Sequence, residues 1–223
     1  MTSLRKSSLW AGVLYVITFV SIPTLALYGP VHEANFMLGS GSDTGVFIGG
    51  ILELIVALAG IGTAVALYPV VKRQNQGVAL GFVGSRVLEG ALIFAGVASL
   101  LTVVALRQAG VGADGLVTGQ ALVGLYDKTF LVSQSLIPAV NGLLLGSLLY
   151  RSHLVSRILP VIGLIGAPLL IVGVIGTMFG AWGPHSTQTL LLAFPIAVWE
   201  FSLGVYLIVK GFKPSSVTDG MVA

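Results

Sequence analysis

Apolar residues along this chain fall into six long blocks, at residues 9–28, 46–70, 78–106, 121–150, 158–179 and 189–209. Each is close to or longer than the roughly 20 apolar residues that an α-helix needs to cross the hydrocarbon of a bilayer. The segments between them carry turn chemistry. Residues 32–43 and 108–120 are polar and glycine-rich, residues 72–76 form a tight polar knot, and residues 180–188 contain Gly183–Pro184. The loops are short and no change of composition marks a second unit. The pattern predicts an all-α, polytopic bundle of about six transmembrane helices in one domain, residues 1–212, with a short cytoplasmic tail at 213–223.

Composition supports the same solvent. Only 9% of the residues are charged, against roughly 25% in soluble domains, too few to cover a water-facing surface. The net charge of +3 does not point to nucleic acid, because the basic residues stand singly or in pairs and form no cluster. Cysteine is absent, which excludes disulfides, thiolate catalysis and Cys-bound metals. Thirty glycines suit helices packed backbone to backbone. Most G-x-x-x-G spacings, such as Gly77–Gly81, Gly142–Gly146 and Gly176–Gly180, are expected to serve packing within the bundle.

Orientation follows from lysine and arginine. With the N-terminus in the cytoplasm, the cytoplasmic segments hold Arg5, Lys6, Lys72, Arg73, Arg151, Arg157, Lys210 and Lys213, and the opposite side holds Arg107 and Lys128. That bias places both termini inside. Tyr68, Tyr150 and Tyr206, each within a few residues of a lysine or arginine, read as interfacial anchors. The first block is too long for a signal-peptide core and lacks an A-x-A site, so it reads as an uncleaved anchor. Pro23, Pro138, Pro168 and Pro195 lie inside expected helices and are candidate kinks.

Four stretches carry a family resemblance: AGVLYVITFV at 11–20, ALYPVVKRQNQGVALGFVGSRVLEG at 66–90, LLYRSHLVSRILPVIGLIGA at 148–167 and WEFSLGVYLIVKGF at 199–212. In this order they resemble the bacterial membrane family catalogued as domain of unknown function 4386. The resemblance implies a multi-pass protein of the prokaryotic cytoplasmic (inner) membrane, and carries no catalytic residue with it.

Ionisable residues inside the blocks cost about 2.5–3.5 kcal/mol each on insertion scales, so their placement is informative. Counting about 1.5 Å per residue from the inner anchors, Arg86, Glu89, Asn141 and Glu200 fall near the midplane. Glu53 and Gln134 fall in the outer third, and Asp127 with Lys128 at an outer mouth. Asp127, Gln134 and Asn141 repeat every seven residues and share a helical face. A polar cleft open to the outside and closed toward the cytoplasm accounts for these levels. Neutralisation of Arg86 by Glu89, with Glu53 and Glu200 as hydrogen-bonding glue between helices, accounts for them equally. Three glutamates against one arginine leave two negative charges unmatched at depth.

Several chemistries lack their residues. His32, His153 and His185 fall in loops, so no imidazole is placed to hold haem between helices. There is no H-E-x-x-H, G-x-S-x-G or Walker A motif. His32, Glu33, Asp43, Asp114 and His185 share the outer loops but read as solvated residues rather than metal ligands. No cofactor and no metal is expected. What remains is a polar intramembrane pocket for a proton, an ion or a small amphiphile or lipid ligand. The alternative is an accessory partner of another membrane protein; an enzyme would lack a recognisable nucleophile.

Overall fold

The structure, a computed structural model, is described for residues 2–184 and 186–219; His185, one of the loop histidines considered above, lies outside them. Among the described residues there is no strand, and six helical spans are long and apolar enough to cross a membrane. The helices are α1 (Ser3–Ile17), the short α2 (Thr24–Leu27), α3 (Thr44–Val71), α4 (Gln76–Gln108), α5 (Leu116–Leu131), α6 (Ile137–Ser152), α7 (Ile158–Met178) and α8 (Thr187–Val209). α1 with α2 makes the first span, and α5 with α6 makes the fourth.

The spans close into a ring: α1 packs on α3, α3 on α4, α4 on α5 and α6, α6 on α7, α7 on α8, and α8 back on α1. Closure depends on glycine. A Cβ on Gly12 would stand 2.6 Å from the carbonyl oxygen of Gly204, and one on Gly163 would stand 2.6 Å from the ring of Trp199. Without side chains at these positions, helix axes approach close enough for dispersion contacts to hold the seam. The Arg5 guanidinium then donates to the carbonyl oxygens of Leu207 and Ile208 at 3.1 and 2.6 Å, satisfying the free end of α8. The start of α1 and the end of α8 therefore share one face, the termini face.

The half of the bundle next to that face is filled with apolar side chains, among them Leu67, Phe82, Leu145, Leu149, Leu203 and Leu207, all fully buried. Residues 213–219 lie across it. Lys213 N–H donates to Leu154 at 2.7 Å, Ser215 Oγ to Ser152 at 2.6 Å, and Arg73 to the carbonyl of Asp219 at 3.0 Å.

Three features depart from the expected pattern. The first span starts at Ser3 and does not run unbroken to residue 28: after Ile17 it tightens into a 3₁₀ turn, Thr18–Ser21, before α2. Thr18 and Thr24 hydroxyls donate to the carbonyls of Tyr15 and Ser21 at 2.6 and 2.7 Å, and Pro23, which lacks an N–H, sits at the junction. The fourth span is interrupted by a π turn, Val132–Leu136. Pro138, four residues beyond Gln134, cannot donate to it and crowds its carbonyl in an α-helix; the wider turn relieves both problems. Finally, Gly77 and Gly81 face outward on α4, whereas Gly142 and Gly146 face α7 and Gly176 accommodates Trp182 as expected of packing glycines.

Candidate functional site

Polar side chains gather in the far half of the ring at three levels. The deepest is centred on Arg86 of α4, 3% exposed. Its Nη1 donates to Glu89 one turn along, at 3.0 Å to Oε2, and its Nη2 donates to Glu200 Oε1 of α8 at 2.8 Å. The same Nη2 reaches the Tyr15 hydroxyl of α1 at 3.3 Å, and the guanidinium carbon lies 5.4 Å from the Tyr15 ring centroid. Asn141 of α6 donates to Glu89 Oε2 at 2.8 Å. One cation thus ties together the first, third and last spans, with the fourth joined through Glu89. Arg86 Nε and Asn141 Oδ1 are buried and without a hydrogen-bond partner, an uncommon state for groups so far from water.

The second level is Glu53 of α3, 1% exposed. Its Oε1 accepts from the Tyr126 hydroxyl at 2.8 Å and Gln134 Nε2 at 3.0 Å, and its Oε2 from the Tyr28 hydroxyl at 3.4 Å. Gly49, one turn before Glu53, leaves room for the Tyr28 ring, which a Cβ there would strike. All three partners of Glu53 are neutral. Gly60, seven residues farther along α3, faces the Arg86 guanidinium, so the two levels are separated by about 10 Å of helix. No hydrogen bond joins them among the described residues.

The third level lies where the loop after the first span meets α5 of the fourth. His32 Nδ1 is 2.7 Å from the carbonyl oxygen of Tyr28 and its Nε2 is 2.9 Å from Asp127 Oδ1. A carbonyl and a carboxylate both accept, so the ring satisfies both when both nitrogens carry hydrogen, which is the imidazolium. The hydrogen bond to Asp127 accordingly raises the His32 pKa above its ordinary 6.5, against an opposing effect of partial burial. The loop bearing His32 is held down by Arg107, which pairs with Asp43 at 3.0 Å, donates to the carbonyls of Gly39 and Gly41, and lies 4.4 Å from the Phe36 ring centroid. Val31, Phe36 and Met37 are buried beneath it. Asp43 and His32, expected to be solvated, are therefore tied into the fold. Asp114 and Glu33 are exposed, and no group of three metal-binding side chains forms among the described residues.

Two cavities flank the His32–Asp127 pair, which lines both. One, of about 280 Å³, lies beneath the loop against Phe36, Val103 and Gly119. The other, of about 510 Å³, lies between the first, fourth, fifth and sixth spans, walled by Tyr28, Tyr126, Phe130 and Leu131 with Thr24, Thr177 and Thr189. Lys128 also lines it and is exposed, with no ion pair among the described residues. The tyrosines are shared: both line this cavity, and their hydroxyls donate to Glu53.

Arg86, Glu89, Asn141 and Glu200 thus form one hydrogen-bonded group, and Glu53 with Gln134 another; Asp127 pairs with His32. Sequence reasoning missed Tyr15, Tyr28 and Tyr126. Their signal was position, since tyrosine away from an interface needs a partner for its hydroxyl.

A ring of six membrane-spanning helices around internal polar groups defines a polytopic α-helical membrane protein. Within that class the chain belongs to the family described as Domain of unknown function (DUF4386), whose sequence model matches residues 10–211. No curated protein and no solved structure matches it.

Proposed function

We propose that this protein binds a small amphiphile in the far half of the membrane, with the far face outward and both termini in the cytoplasm of a bacterial cell. The observation that carries the proposal is the sharing of Tyr28 and Tyr126 between the 510 Å³ cavity and the buried carboxylate of Glu53. Ligand pockets are typically apolar and aromatic with a few convergent polar groups, in a volume of about 300–1,000 Å³, and this cavity fits that description. Threonines at the end of span one and on spans five and six add hydroxyls for a polar head, while Leu25, Phe130 and Leu131 suit an apolar body. The apolar packing of the termini half favours a site reached from the far side. The Arg86 group, buried and hydrogen-bonded across the ring, ties the spans to one another and lines neither cavity.

The test is native mass spectrometry of the protein released from lipid nanodiscs, comparing the natural chain with Ser135→Trp, which fills the cavity wall. Retention of a stoichiometric small molecule or lipid by the natural chain, and its loss in a Ser135→Trp variant that melts normally, is expected. Equal retention by both would remove the cavity as the site.

A further inference from the structure

We infer that the occupant of the 510 Å³ cavity is a lipophilic cation, an ammonium or phosphonium centre on an apolar body, attracted by the carboxylate of Glu53; this rests on the cavity being the binding site. The argument begins with charge. Arg86, the base at depth, is engaged by Glu89 and Glu200. Glu53 is left with hydrogen bonds from Tyr28, Tyr126 and Gln134 and with no cation among the described residues. Neutral donors spread a carboxylate's charge without cancelling it, and an uncancelled charge at this depth is costly. A cation on the other side of the tyrosines offsets that cost.

The tyrosines strengthen the attraction. Their rings pack edge to face, with centroids 5.2 Å apart, and Phe130 adds a third ring at 6.0 Å from Tyr126. Aromatic faces are electron-rich and attract cations, most strongly where water is excluded. A phenol donating to a carboxylate carries more electron density in its ring, so the same hydrogen bonds that hold Glu53 make the cavity wall a better cation receptor. Those hydroxyls are already committed to Glu53, so they have no proton to offer an anionic head. Of the other charges on the lining, Asp127 is paired with His32. Lys128 is exposed, where its long stem lets the ammonium reach water.

The experiment is equilibrium dialysis against nanodisc-embedded protein, with empty nanodiscs as the blank. The probes are tetraphenylphosphonium, its anionic size match tetraphenylborate, and neutral triphenylphosphine oxide. The phosphonium should bind about tenfold or more tightly than either other probe, and Glu53→Gln should lose that advantage while binding of the oxide stays within about twofold. Phe130→Leu, which touches no hydrogen bond of Glu53, should weaken the phosphonium several-fold and spare the oxide; it decides the matter if Glu53→Gln does not fold. Preference for the oxide or the borate, or phosphonium binding indifferent to both substitutions, overturns the cation while leaving the amphiphile reading in place. Failure of all three probes to exceed the blank would overturn both.

Discussion

Replacing Arg86 with methionine removes one charge while preserving most of the side-chain volume, and isolates what the cation does for the bundle. Glu89 and Glu200 then lose their counter-ion at separations now 3.0 and 2.8 Å. At an effective dielectric constant near 20, each such contact is worth about 5–6 kcal/mol of Coulomb energy, much of it offset by the desolvation of both ions. Breaking a buried pair by removing one partner costs about 3–5 kcal/mol net in soluble proteins. Loss of a single interhelical hydrogen bond in a membrane costs far less, about 0.6 kcal/mol on average. The comparison is therefore with Tyr15→Phe, which removes one hydroxyl contact to the same guanidinium and strands no charge. For a chain of this size about 1 kcal/mol moves the melting temperature by about 2–4 °C. Arg86→Met should melt about 6–20 °C below the natural protein, and Tyr15→Phe within about 3 °C of it.

The assay is thermal melting in one fixed detergent, followed by circular dichroism and by the monodisperse fraction on size exclusion. The triple change Arg86→Met with Glu89→Gln and Glu200→Gln should recover most of the loss, because no charge is left unpaired in the group. A single partner change should recover less, since Arg86 serves two carboxylates. If Arg86→Met is no worse than Tyr15→Phe, or the triple variant melts as low as Arg86→Met, the cation is not the hub inferred from its contacts.

Three further outcomes are expected. Gly12→Ala should destabilise by about 1–3 kcal/mol, because its Cβ meets the backbone of α8 and neither helix can yield, whereas Gly84→Ala, with open space around its Cβ, should melt as high as the natural protein or slightly higher; equal effects would refute the α1–α8 seam. His32 gains its proton's partner on folding, so its contribution to stability is fully present below its ordinary pKa near 6.5 and is lost as pH rises through the raised folded value. The natural protein should then melt lower at pH 8.5 than at pH 6, and His32→Gln should lessen that difference; an unchanged pH profile would remove the His32–Asp127 latch. Reporters active only in the cytoplasm should work when fused after Lys72, Arg151 or Lys213 and fail after Asp43 or Asp114, and activity at Asp114 would sink the six-span topology.

The bundle was legible because each span states itself twice, in a sufficient apolar length and in polar turn residues at its ends. The break in the first span was not. Thr18, Phe19 and Val20 continue the apolar run, and the features that interrupt the helix, threonine hydroxyls bonding to carbonyls three residues back, leave hydropathy unchanged. The loop over the far face was misjudged for a related reason. Glycine and polar residues mark a turn, but Val31, Phe36 and Met37 within it are apolar enough to be buried, and their burial brings His32 and Asp43 to partners on α5 and α4.

The polar levels followed from counting residues along spans, because helical rise is constant and a ring of spans brings equal depths together. Glu89, Asn141 and Glu200 meet Arg86 on that basis, and Gln134 meets Glu53. The seven-residue repeat of Asp127, Gln134 and Asn141, however, holds for an unbroken α-helix. The π turn at Val132–Leu136 adds one residue to the winding, which moves everything before it by one position around the axis. Tyr126, eight residues before Gln134, therefore takes the place against Glu53 that Asp127 would have held at seven. Asp127 is turned to the mouth and to His32. The exchange matters chemically: a second carboxylate beside Glu53 would have deepened the charge imbalance, whereas a tyrosine supplies a hydroxyl to Glu53 and a ring to the cavity. Pro138 is the sequence feature that demands the wider turn, so one proline decides which of two adjacent side chains faces the buried acid.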